Sequence, residues 1–175
     1  SNQKMTAPRY QDIKSKEIKS LFDDDGTIIK VIAGNYRGYN GPVDGIAAEP
    51  EYLDIYIPPL KFKKFPFDTR RQGFAYIFEG EGNFNNASKP VGVKVEKEFQ
   101  GQEIELRDLS GNRTLVVFDS GDEVAVQAGE NGVRFLLISG TPIKEPVAWH
   151  GPIVMNSQEE LRQAFNELNN GTFIK

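Results

Sequence analysis

The chain contains no cysteine and only one histidine, His150. Without cysteine there are no disulfides, no thiolate nucleophiles and no zinc–thiolate sites, and a reducing compartment is the natural setting. The scarcity of histidine excludes more. A mononuclear centre for catalytic iron, zinc or copper usually draws on two or three imidazoles. One imidazole with scattered carboxylates cannot rebuild such a centre. Long apolar runs are also missing: none approaches the roughly 20 residues that a membrane helix needs. The opening Ser1-Asn2-Gln3-Lys4 has no apolar signal-peptide core. A cytoplasmic protein without a membrane partner is therefore expected. Nor is there a basic surplus: 21 Lys and Arg stand against 25 Asp and Glu, for a net charge of −4. That balance argues against a nucleic-acid partner.

What is present favours strands. Twelve Phe and six Tyr accompany abundant Val and Ile, the residues that fit a pleated, half-buried surface. At 175 residues the chain suits one domain. Runs of strand character cover 27–33, 52–57, 74–78, 91–95, 103–106, 114–118, 123–126 and 133–138, with turn signals between them. One of those signals is Gly129-Glu-Asn-Gly132, read as a turn separating two strands. Arg9 to Phe22 is polar and reads as a linker-like lead-in within a connector over 1–22. Many short strands with regular turns predict an all-β sandwich or barrel, placed at 23–156. The end differs. Ser157 precedes Glu160 by three residues, the spacing of a capping box. Leu161, Ala164, Phe165 and Leu168 then share one helical face, and Asn170-Gly171 supplies a stop. The spacing predicts one amphipathic helix of about three turns within 157–175, part of the same domain.

Few residues invite a chemical reading. His150, between Trp149 and Gly151-Pro152, could contact a ligand or donate a proton. No orienting partner stands near it in sequence, so a histidine packed in a turn is the expected role. Trp149, Ile153, Val154 and Met155 form an apolar stretch that is either core or a docking face. Lys61, Lys63, Lys64, Arg70 and Arg71 surround Phe62, Phe65 and Phe67, a pattern that can grip single-stranded nucleic acid. A strand with phenyl rings inward and lysines outward gives the same pattern, and the acidic whole favours it. Glu79 and Glu81 beside glycines are expected to be solvated. Asp23-Asp24-Asp25-Gly26 lacks the alternate spacing and distal Glu of a calcium loop and reads as a solvated turn.

Two stretches resemble the C-terminal half of the pirin family, within the cupin superfamily. One is Glu145-Pro-Val-Ala-Trp-His-Gly-Pro-Ile-Val-Met-Asn156, with the following helix and Asn170-Gly-Thr-Phe173. The other is Gly73-Phe-Ala-Tyr-Ile-Phe-Glu-Gly80, similar to a cupin strand ending in a Glu-Gly turn. Lys4-Met-Thr-Ala-Pro-Arg-Tyr-Gln11 resembles the family's inter-domain connector, and Gly121-Asp122 with Gly140-Thr-Pro-Ile143 adds support. The resemblance implies a cupin-like double-stranded β-helix (jelly-roll) barrel with one C-terminal amphipathic helix. It also implies a tandem protein whose N-terminal barrel holds a metal, usually iron, on three histidines and a glutamate. A metal cupin carries a His-x-His pair leading into the Glu-Gly turn. Here the lead-in is Phe65-Pro-Phe-Asp-Thr-Arg-Arg-Gln72, and the window of the late histidine, 128–133, has no imidazole either. No catalytic or metal residue is therefore expected in this chain, and iron or another divalent metal would belong to a preceding barrel.

Three roles follow from the resemblance. The chain is expected to be a metal-free structural half supporting an N-terminal metal cupin. It could instead be a portion of a quercetin 2,3-dioxygenase of pirin type, or a protein-interaction module like that of the family's transcription cofactor. Its expected partner is the N-terminal barrel or a second copy of itself. Trp149, His150, Ile153 and Met155 are the candidate docking residues.

Overall fold

Alternation of apolar and polar residues builds most of the observed strands. In Ile28–Ala33, Ile29, Val31 and Ala33 are buried while the residues between them are half-exposed, and Glu51–Ile57 repeats the pattern with Leu53, Ile55 and Ile57. Period-2 alternation places one face of a strand on a core. The computed structural model describes residues 7, 9–84, 91–92 and 109–173. Its strands, in chain order, are β1 (Lys19–Phe22), β2 (Ile28–Ala33), β3 (Asn35–Tyr36), β4 (Tyr39–Asn40), β5 (Glu51–Ile57), β6 (Phe62–Pro66) and β7 (Gln72–Asn83). They continue with β8 (Val91–Gly92), β9 (Ser110–Gly111), β10 (Thr114–Val117), β11 (Glu123–Gly140), β12 (Ala148–His150) and β13 (Ile153–Met155). A single-turn 3-10 helix, Ser15–Glu17, precedes β1, and one α-helix, α1 (Gln158–Asn169), follows the strands among the described residues. Gln11–Pro142 forms one compact unit; Ile143–Lys175, with Ser1–Tyr10, forms the other.

The Gln11–Pro142 unit is a cupin-type barrel made of two layers that share strands. Among the described residues its strand ladders are antiparallel, with one isolated parallel bridge between Ala33 and Val43. One layer runs β1-β2-β5-β11-β7-β10-β8. The other uses β6 against the first half of β11, and β9 against the far half of β7. Both long strands bend to serve both layers. β11 pairs β6 through Glu123–Gln127 and β5 through Val133–Ser139, while β7 pairs with it at Gln127 and Ala128 and again through Val133–Gly140. The bend sits where the register jumps between Ala128 and Val133 opposite Gly80–Gly82. It needs glycine twice. Gly80 and Gly132 have φ of +69° and +77°, and a Cβ on Gly80 would lie 2.1 Å from the carbonyl oxygen of Gly132. Residues 129–132 are thus a bulge within one continuous strand. The expected turn is absent because the glycines bend the chain without reversing it.

The lead-in also differs from expectation. Its last residues form β1, an edge strand paired with β2 from Lys19 opposite Val31 to Phe22 opposite Ile28. Only Leu21 packs against the core, and Phe22 remains 73% exposed, so the stretch carries almost no period-2 signal. Residues 93–95 and 103–106, expected as strands, lie outside the described residues.

In the second unit β12 and β13 form a hairpin, with Trp149 opposite Val154. Ala148, Ile153 and Met155 are buried with Leu161 and Ala164 of α1, and Phe165 and Phe173 pack on them. The helix begins as expected. The Ser157 hydroxyl accepts from the Glu160 N–H, and the Glu160 carboxylate accepts from the Ser157 N–H.

Candidate functional site

In a cupin barrel the natural place for chemistry is the interior between the two layers. Among the described residues, phenyl rings line that space. Phe65 on β6 meets Phe135 on β11 edge to face, with centroids 6.1 Å apart, and Phe84 meets Phe135 at 5.2 Å. Phe84 also approaches Phe118 at 6.3 Å, and Phe118 meets Phe67 at 6.1 Å. Five rings thus form one chain through the barrel. Edge-to-face and offset contacts of this kind add about 0.5–1.5 kcal/mol per pair beyond area burial. Val126, Ile57 and Ile77, each fully buried, belong to the same core. Phe65 and Phe67 come from the lead-in to β7, where a metal cupin carries its imidazole pair. A ring of carbon atoms offers an ion no lone pair, so these residues do not fit a metal centre. Among the described residues no three His, Cys, Asp or Glu side chains gather within reach of one ion.

A polar cluster lies on the same unit. The turn between β1 and β2 holds Asp23 and Asp25, and the ammonium of Lys63 donates to both, at 2.8 and 2.9 Å. Arg37 donates to the other oxygen of Asp23 at 2.7 Å, and the Thr27 N–H donates to Asp25 at 3.1 Å. Burial alone would raise both carboxyls. The hydrogen bonds from Lys63 and Arg37 outweigh it and hold Asp23 below the usual carboxylate range. The Lys63 and Thr27 hydrogen bonds hold Asp25 at about 2. The acidic run is accordingly no solvated turn, and Lys63 shares the inward side of β6 with Phe65 instead of pointing out. The remaining basic residues are largely engaged as well. Lys64 pairs with Glu123 at 2.7 Å, Arg70 holds both oxygens of Asp68, and Arg71 donates to the Glu49 carbonyl. Four of the five cations in the Lys-Arg-Phe pattern are thus engaged with acceptors on this chain.

A second set of charges crosses the outer face of the larger layer. Asp54 on β5 accepts two hydrogen bonds from Arg134 on β11, at 2.9 and 2.6 Å. Lys30 on β2 stands 3.7 Å from Asp54, and Glu79 on β7 stands 3.9 Å from Arg134. The guanidinium also lies over the Phe78 ring at 5.0 Å. Asp54 and Arg134 sit at outward positions in strands whose alternate residues are buried. Each charge is visible in the sequence; their pairing is set by a register that no local pattern reveals.

The four expected docking residues separate. Ile153 and Met155 face α1 and are core. His150 is exposed in the hairpin, its ring edge to face with Phe165 at 5.4 Å. Trp149 projects from the opposite side beside Val154, 73% exposed, and its indole N–H donates to the Gly151 carbonyl at 2.8 Å. Glu79 is exposed beside Arg134, and Glu81 is half-buried. Among the described residues no helix is long and apolar enough to cross a membrane.

Comparison with known proteins fits this architecture. Residues 52–174 match the family described as the pirin C-terminal cupin domain. A pirin-like protein of Arabidopsis thaliana is 35% identical over 98% of this chain and 57% of its own length. A pirin-like protein of Caulobacter vibrioides is 34% identical over 97% of this chain and 54% of its own. Among solved structures, a quercetin 2,3-dioxygenase from Acinetobacter baumannii superposes with a TM-score of 0.77 at 24% identity, covering 99% of this chain and 53% of that one. The chain spans about half the length of the relatives and the structure it matches. It belongs to the pirin family, as a cupin domain of the C-terminal type.

Proposed function

We propose that this chain is the supporting half of a pirin-type double cupin, with no metal and no catalytic group of its own. Any iron or other divalent metal, and any oxygenase chemistry of the quercetin 2,3-dioxygenase kind, would then reside in a preceding barrel. The observation that carries this reading is the chain of five phenyl rings from Phe67 to Phe65 through the interior. A core lined by phenyl rings offers an ion no donors. The sole imidazole, His150, lies in the hairpin of the Ile143–Lys175 unit. The outward side of that hairpin suits a preceding barrel. Trp149 is exposed yet held in one orientation by its bond to Gly151, the character of an interface anchor.

The test is metal content. The purified 175-residue chain, incubated with Fe(II), Cu(II), Zn(II) or Ni(II) and desalted, should retain far less than one equivalent by elemental analysis. It should also leave quercetin unconsumed under air. One tightly bound equivalent, or turnover, overturns the reading.

A further inference from the structure

We propose that the outer face of the layer β2-β5-β11-β7 is the interface of a two-fold symmetric dimer of this chain. The outward side of a water-facing antiparallel layer is ordinarily polar. Here Tyr52, Phe74, Tyr76, Leu136 and Ile138 occupy outward positions on adjacent strands, alternating with the buried residues. The register sets Leu136 beside Tyr76, and Ile138 beside both Tyr52 and Phe74. Tyr52, Tyr76, Leu136 and Ile138 are half-buried, Phe74 is 36% exposed, and Val117 on the neighbouring β10 is 40% exposed. A contiguous apolar face of this kind marks a surface built to be covered.

The charges at one end of the face indicate what covers it. Across four neighbouring strands they read Lys30, Asp54, Arg134, Glu79: plus, minus, plus, minus. Reversed, the row reads minus, plus, minus, plus. A dyad lying in the interface, at right angles to the row and between Asp54 and Arg134, therefore sets every charge opposite its complement. Lys30 meets the second copy's Glu79, and Asp54 meets its Arg134. An isologous interface requires this self-complementarity, and opposed charges fix its orientation. The cleft along the row, lined by Ile28 and Tyr56 with these four residues, measures about 200 Å³. That is small for a ligand pocket, which usually holds about 300–1,000 Å³, but adequate for side chains crossing from a partner.

Sedimentation equilibrium of the 175-residue chain tests the proposal. It should show a concentration-dependent monomer–dimer equilibrium. Lys30→Glu and Glu79→Lys should each weaken dimerisation by about tenfold or more, since each opposes like charges across the interface. The double variant K30E/E79K should return to near the parent affinity, because the reversed row is again self-complementary. Phe74→Arg, at an exposed position, should weaken the dimer while leaving the urea midpoint near the parent value at concentrations low enough that both chains are monomeric. A chain that is monomeric at every concentration overturns the proposal; so a face reserved for another domain or protein would sink it. A dimer indifferent to Phe74→Arg, or one that the double variant fails to restore, overturns it as well.

Discussion

The barrel unit and the hairpin–helix unit solve the same problem, burial of apolar surface, on very different scales. In the barrel, buried residues come from strands far apart in sequence. Phe65, Phe84 and Phe135 meet across both layers, and fully buried Ile29, Leu53, Ile77 and Val116 close around them. Among the described residues of the other unit, five buried side chains from one hairpin and one helix form the cluster, with Phe165 and Phe173 packed on it. Its hydrogen-bonded capping box and local contacts matter proportionally more. Long-range register stabilises the first region, and short-range propensity carries much of the second.

The largest expected effect follows from that contrast. Phe135→Ala should cost about 3–5 kcal/mol, as large aromatic truncations in well-packed cores do. Leu161→Ala should fall near the lower end of the roughly 2–5 kcal/mol range for such changes, since its small cluster can collapse. Urea unfolding of both variants checks this, and equal losses would break the comparison.

Next comes Lys63→Met. It removes one donor from each carboxylate, leaving Asp25 with the Thr27 N–H and Asp23 with Arg37, at a cost of about 1.5–3 kcal/mol near neutral pH. Both carboxyls titrate below their unfolded values, so the stability they contribute is present above about pH 4 and is lost as pH falls towards about 2. The variant should accordingly show a flatter urea midpoint between pH 5 and pH 2.5 than the parent. Asp68, held at about 2 by its hydrogen bonds with Arg70, responds in the same window and should keep part of the slope in both. An unchanged slope would mean that the Lys63 pairs contribute nothing.

The smallest effect sharpens the local side of the comparison. Ser157→Ala removes the cap of α1 and should cost about 1 kcal/mol. Amide exchange in the first turn of the helix should accelerate, with little change in the barrel strands.

Much of the secondary structure was legible in the sequence, for a physical reason. Strands such as Ile28–Ala33 and Glu51–Ile57, and the helix after Ser157, announce themselves because periodicity and capping are local. The shortage of imidazoles was equally plain. What escaped depends on partners distant in the chain. β1 is recognisable only once Val31 and its neighbours lie alongside it. Lys63 turned inward because Asp23 and Asp25 wait there, 40 and 38 positions earlier in the chain. The run 129–132 carries turn residues, and only the pairing of both flanks with β7 shows that the strand goes on. Among the docking candidates, the hairpin register separated Trp149 from Ile153 and Met155 by pointing them to opposite sides.

The glycine bend has a mechanical corollary. With β7 and β11 each running through both layers, the two sheets are stitched together by continuous polypeptide and cannot part like a clamshell. Opening would have to rupture a whole ladder or begin at the rims. A barrel sewn in this way should breathe at its ends and yield all at once in its middle.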